Sequence, residues 1–69
     1  MVEVFKTNVQ HQLIAEKLSA ELLAYIPDSK ICFDLEDSDK ILRIESNIVP
    51  PALVVNTLLR RGYACEVLE

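Results

Sequence analysis

The chain contains little of what most catalytic and cofactor sites require. Its 69 residues include no Trp, one His, one Met, one Gly and two Cys. With a single His, most catalytic triads and His-rich metal sites lack a component. No apolar run approaches the ~20 residues of a membrane-spanning helix, and no basic segment followed by an apolar one opens the sequence. We therefore expect a cytoplasmic protein that does not associate with membranes.

Positive charge is also scarce, because seven Lys and Arg residues stand against eleven acidic ones and give a net charge of −4. No positive field is then available to attract nucleic-acid phosphates or anionic lipid. The composition, 51% hydrophobic and 26% charged, favours a folded globule over a disordered chain. Its length fits one small domain over residues 1–69.

The two cysteines, Cys32 and Cys65, lie 33 positions apart. This spacing excludes a local CxxC redox pair or zinc knuckle, and two cysteines are too few for a disulfide-stapled secreted miniprotein.

Hydrophobic periodicity predicts six elements. Alternating polarity predicts strands over 2–9, 30–36, 41–45 and 63–68. Helical spacing occurs over 12–25 and 52–61. Pro27 closes the first helix, Pro50 and Pro51 suit the entry to the second, and Gly62 follows it as a left-handed cap.

Each element has an apolar set that we expect to face the core. In the strands these residues are Phe5, Thr7, Val9, Ile31, Phe33, Leu35, Leu42, Ile44, Tyr63, Cys65 and Val67. In the helices they are Leu13, Ile14, Leu18, Leu22, Leu23, Ile26, Leu53, Val54, Val55, Leu58 and Leu59.

The order of these elements predicts an α+β protein, a ferredoxin-like βαββαβ two-layer sandwich. Right-handed crossovers place both helices on one side of a four-stranded antiparallel sheet with the strand order 4-1-3-2.

Three segments resemble the heavy-metal-associated domain of small copper chaperones and metal-pump N-termini. They are the Gly62-Tyr63 step into the last strand, the turn Ile26-Pro27-Asp28 after the first helix, and the alternating run over 31–36. The resemblance covers nearly the whole chain and implies the same fold.

The family's metal motif, Met-x-Cys-x-x-Cys, is absent. In family members, two thiolates on a short loop bind a soft cation such as Cu(I). Here the resemblance places Val9 at the Met position, His11 at the first Cys and Ile14 at the second, and residues 6–16 contain no Cys. We therefore expect no bound metal and no other cofactor.

His11 and Cys32 are the residues from which an alternative metal site would be built. One imidazole near a helix start is more often a solvated polar residue than a ligand. Cys32 is expected on the uncovered sheet face, and Cys65 among the core residues at the opposite edge. Three strand spacings of about 4.8 Å separate these edges, so both thiols should stay reduced.

Two charged runs have structural explanations. The acidic run over 34–39 lacks the Gly and the distant Glu of a calcium loop and fits a solvated hairpin tip. Arg60 and Arg61 fit the last turn of a helix, where the helix dipole favours positive charge.

The uncovered face of the sheet is the candidate interaction surface. It is more apolar than a solvated face should be, and such patches tend to mark interaction sites. The apolar residues expected on it are Val2, Val4, Cys32, Ile41, Ala64 and Leu68. It carries no aromatic platform of the kind that ferredoxin-like RNA binders use.

These observations predict a non-enzymatic protein-interaction or regulatory module that binds a protein partner or a second copy of itself. One alternative is a metal carrier with the ligands His11 and Cys32, or His11 and a partner's thiol. Another is a small-molecule sensor built from paired domains of this fold. An enzyme is the least favoured class, because no nucleophile has a base at hand.

Overall fold

Six regular elements follow one another in the predicted order. The computed structural model describes residues 1–68, so the last position of the predicted 1–69 domain lies outside them. The elements are β1 (Val2–Thr7), α1 (Gln12–Tyr25), β2 (Lys30–Asp34), β3 (Ile41–Glu45), α2 (Pro51–Arg60) and β4 (Cys65–Val67). The bounds of α1 and β3 are those predicted. The other strands are shorter than predicted, and α2 begins and ends one residue earlier.

The four strands form one antiparallel sheet with the order β2-β3-β1-β4. Read from the β4 edge, the same neighbours are 4-1-3-2. With its two helices, the protein is an α+β structure compatible with the ferredoxin-like arrangement. Cys32 and Cys65 lie on the two edge strands, and both are free thiols.

One hydrophobic core lies between the helices and a single face of the sheet. Phe5, Leu42 and Ile44 of the central strands are fully buried against Leu22 of α1 and Leu58 of α2. The remaining core positions come from both helices and from the segments beside them. They include Val9, Ala15, Leu18, Ile26, Val49, Val54 and Cys65.

The buried faces of the helices agree with the prediction at Leu18, Leu22, Val54 and Leu58 and differ from it at other positions. Leu13, Leu23 and Leu59 were expected in the core but are 71%, 43% and 54% exposed, whereas Ala15 and Thr57 are buried. Because α1 carries Leu at more positions than one helix face can bury, apolar spacing alone did not select the face. The small Ala15 faces the sheet instead.

Side-chain oxygens end two of the strands earlier than alternation predicts. The Thr7 hydroxyl accepts the Val9 N–H at 3.2 Å and donates to the Lys40 carbonyl at 2.6 Å, so β1 ends at Thr7 although Val9 is buried. The Asp34 carboxylate accepts the Glu36 N–H at 3.3 Å and ends β2 in the same way. Such local bonds compete with the strand ladder.

The predicted glycine cap of α2 is confirmed. Gly62 has a φ of 88°, and its N–H donates to the Leu59 carbonyl at 3.0 Å while the Tyr63 N–H donates to the Leu58 carbonyl at 3.0 Å. This pair of bonds is the Schellman motif. The turn delays β4, which begins at Cys65 rather than at position 63. Val67, expected to be buried, is 36% exposed on this edge strand.

Neither of the two helices within residues 1–68 has the length and apolarity that crossing a membrane requires.

Candidate interaction face

The face of the sheet away from the helices, called the open face below, is defined by the strand register. The register aligns Cys32 of β2 with Arg43 of β3, and Arg43 with Val4 of β1. The Leu68 N–H donates to the Val4 carbonyl at 2.8 Å and so extends this row past β4. A row of side chains therefore crosses the open face from β2 to the residue that follows β4.

A second row lies beside the first. It contains Asp34, Ile41, Lys6 and Glu66, aligned in that order. A third row holds Lys30, Glu45 and Val2. Apolar and charged side chains are therefore mixed on the open face.

All six apolar residues predicted for this face lie outside the buried core. Val2, Cys32 and Ala64 are exposed, whereas Val4, Ile41 and Leu68 are half-buried. The three half-buried residues belong to the first two of these rows. Long charged side chains lie beside them, and the aliphatic stems of such side chains cover part of an apolar surface.

Among the described residues, 1–68, the charges on the open face are balanced. Three are positive, Lys6, Lys30 and Arg43, and three are negative, Asp34, Glu45 and Glu66. The net charge of −4 therefore comes from the rest of the chain. Two exposed ion pairs order part of this surface, Arg43 with Glu45 at 3.4 Å and Lys6 with Asp39 at 3.7 Å.

His11 and Cys32, the residues of the alternative metal site, are both exposed. His11 precedes α1 in the N-cap position and makes no side-chain capping bond. Cys32 lies in the middle of β2. Across residues 1–68, no group of three or more His, Cys, Asp or Glu side chains is arranged to hold a metal ion.

Cys65 is buried in the core, as expected of a small hydrophobe. Burial raises the pKa of its thiol from 9.0 to about 11, and the neighbouring Glu66 carboxylate adds to the shift. The neutral thiol is therefore the form that the folded protein favours.

The sequence analysis did not find the groove between α1 and the end of α2. It has a volume of about 390 Å³, and its lining includes Lys17, Glu21, Arg61 and Tyr63. The Arg61 Nε donates to Glu21 Oε1 at 2.9 Å, and this bond, with the charge of Glu21, raises the pKa of Arg61. The paired residues lie 40 positions apart, so no local pattern could have revealed the contact.

Comparisons with family models, with curated proteins and with solved structures gave no significant match to this chain.

Proposed function

We propose that this protein is a non-enzymatic protein-interaction or regulatory module, and that the open face is its contact surface. In this proposal it is a cytoplasmic, ferredoxin-like domain similar to heavy-metal-associated domains but without their thiolate motif.

The composition of the open face is the observation that carries the proposal. Half-buried Val4, Ile41 and Leu68 lie among six charges that sum to zero. A surface that mixes apolar side chains with polar and charged ones in this way has the composition of a non-obligate protein interface. A face without net charge lacks the positive field that binding to a phosphate backbone requires. These properties support a protein as the partner.

The residues at the positions of the family's metal motif support a departure from metal carriage. Val9, at the position of the family's Met, is fully buried in the core, and Ile14 is half-buried against it. Of the three aligned positions, 9, 11 and 14, His11 is the exposed one. A lone imidazole provides one ligand where soft-metal carriers use two thiolates. The metal carrier with His11 and Cys32 remains the competing hypothesis.

Site-specific photocrosslinking tests the contact surface. A photoreactive amino acid is placed at Val2 on the open face or, as the control, at Leu23 on α1, since these side chains are 44% and 43% exposed. After irradiation in cells, we expect protein adducts from position 2 and few from position 23. Equal labelling from both positions, or none from position 2, would refute the proposal.

Metal titration tests the competing hypothesis. Cu(I) and Zn(II) are each added in the presence of a chelating indicator. We expect the chelator to keep the metal and the His11→Ala and Cys32→Ser variants to behave like the parent protein. Stoichiometric binding that either substitution abolishes would establish the metal carrier instead.

A further inference from the structure

The outer edge of β2 is open to another strand. Within residues 1–68, β2 pairs with β3 alone, and it spans five residues, Lys30–Asp34, without a proline. Helix α1 borders the edge with small or polar residues, since Gln12, Ala15, Glu16 and Ser19 line the adjoining groove of about 330 Å³. An uncovered edge of this kind is a template for strand pairing.

The hydrogen-bond pattern shows which backbone groups of β2 point outward. The Ser46 N–H donates to the Met1 carbonyl at 3.0 Å, and the Leu68 N–H donates to the Val4 carbonyl at 2.8 Å. Odd-numbered residues of β1 therefore bond to β3, and even-numbered ones to β4. Bonding direction alternates along a strand, so Leu42 and Ile44 bond to β1, and Arg43 bonds to Cys32 of β2.

Ile31 and Phe33 are left with their N–H and C=O groups directed away from β3. These two residues supply two donors and two acceptors on the outer edge. Their side chains are half-buried and pack against the core. A second strand could therefore bond at positions 31 and 33 without disturbing the existing sheet.

The sequence of β2, Lys-Ile-Cys-Phe-Asp, is complementary to itself when two copies run antiparallel. With the two-fold axis at Cys32, Lys30 of each copy lies opposite Asp34 of the other, and Ile31 lies opposite Phe33. Directly opposed side chains have Cβ atoms about 4.5–5.5 Å apart, which suits ion pairs and apolar pairs. Ile31 and Phe33 are also the residues whose backbone groups point outward.

Neighbouring registers are less complementary. A shift of two residues in one direction places Asp34 opposite Asp28 of the second copy, which opposes like charges. The opposite shift pairs Lys30 with Glu36, which lies in the turn after β2. Only the register centred on Cys32 pairs all five strand residues.

We propose that two copies of this chain associate through β2, antiparallel and centred on Cys32, to form one continuous eight-stranded sheet. The two open faces then adjoin on the same side of that sheet. This inference rests on the proposed function and deepens it, because the dimer presents two adjoining open faces to a partner. An edge contact of five residues a side is small, so the association is weak and reversible.

Charge exchange at the two ends of β2 tests the register. Lys30→Asp opposes two carboxylates at each end of the contact, and Asp34→Lys opposes two ammonium groups. Each variant alone should dissociate at least tenfold more readily than the parent protein in sedimentation equilibrium from about 10 μM to about 1 mM. An equimolar mixture of the two variants restores opposite charges at both ends, so association should return as a mixed dimer.

Lys17→Asp on α1 and Glu66→Lys on β4 are the matched controls, because they change the net charge equally outside the contact. They should associate like the parent protein, alone and mixed. Circular dichroism confirms that each variant is folded. A parent protein that stays monomeric near 1 mM, or a mixture of the Lys30 and Asp34 variants that does not associate, would overturn the inference. Neither outcome alters the photocrosslinking at position 2, so the two proposals can fail separately.

Thiol proximity provides an independent readout. Cys32 occupies a non-hydrogen-bonded pair at the axis, where opposed Cα atoms lie about 4.5 Å apart, within the range that a disulfide spans. Mild oxidation by diamide, which accepts the two electrons and two protons of the thiols, should link the parent protein through Cys32. A Lys30→Asp variant should link far more slowly. Equal rates would contradict the proposed register.

Discussion

Adjacent residues of β1 show how differently the two faces of this sheet are built. Phe5 points toward the helices and is fully buried, whereas Val4 and Lys6 on either side point to the open face and contact solvent. The covered face consists of apolar side chains, of Thr7, whose hydroxyl is hydrogen-bonded, and of the half-buried Glu3 near one end of β1. The open face mixes apolar and charged residues. The covered face therefore stabilises the fold, whereas the open face can change with little effect on stability.

Truncating one side chain on each face tests this difference and has the largest expected effect on the free energy of unfolding. Phe5→Ala should cost about 3–5 kcal/mol, because it removes a fully buried ring and leaves a cavity. That is much of the roughly 3–10 kcal/mol expected for a domain of this size. Val4→Ala, one position away on the open face, should cost less than about 1 kcal/mol. Urea denaturation followed by circular dichroism measures both, and similar losses would contradict this difference.

The two buried threonines, Thr7 and Thr57, should differ by a smaller amount in how much their hydroxyl groups stabilise the protein. Thr7→Val removes the acceptor of the Val9 N–H and the donor to the Lys40 carbonyl and should cost about 1–3 kcal/mol. Thr57 donates only to the Leu53 carbonyl, one turn earlier in α2, at 2.7 Å. Because that carbonyl keeps its helical partner, Thr57→Val should be nearly neutral. Comparable losses in the two variants would show that burial, rather than bonding, determines the cost.

The stability of the protein should also depend on pH through Cys65, the cysteine that is buried in the core. The pKa of Cys65 is raised to about 11 in the folded state, from 9.0. Above pH 9 the unfolded thiol therefore loses its proton while the folded one keeps it, so the stability of the parent protein falls until about pH 11. Cys65→Ala lacks this loss, so the stability difference between the two proteins should narrow as pH rises through this window. A difference that stays constant would show that Cys65 does not cause the loss; Cys32 is present in both proteins and cancels.

The elements were predictable where a pattern is local. Pro27 and the run of helix formers fixed α1, and Gly62 fixed the end of α2, because these residues act on their own backbone. The ends of β1 and β2 depend on hydroxyl and carboxylate bonds made by Thr7 and Asp34, which alternation does not report. The buried face of α1 was predicted too wide, because Leu13 and Leu23 extend its apolar pattern beyond the surface that the sheet covers.

The apolar residues of the open face were predictable from the sequence, but the balance of charges on that face was not. Alternation assigned Val2, Val4 and Ile41 to one side of the sheet without knowledge of the register. The alignment of the strands was needed to show that the six charges balance. It was also needed to show that the backbone N–H and C=O groups of Ile31 and Phe33 point away from β3. The Glu21–Arg61 pair also depends on tertiary packing, since α1 and the end of α2 are distant in sequence.

Nuclear magnetic resonance of the ¹⁵N-labelled protein at increasing concentration tests the central claim most directly, because it separates the β2 edge from the rest of the molecule. The account predicts that the amide signals of Ile31 and Phe33 shift with concentration and exchange more slowly with solvent. Signals of core residues such as Leu22 should stay unchanged. Shifts confined to the helices, or no shift in β2 up to about 1 mM, would contradict the account.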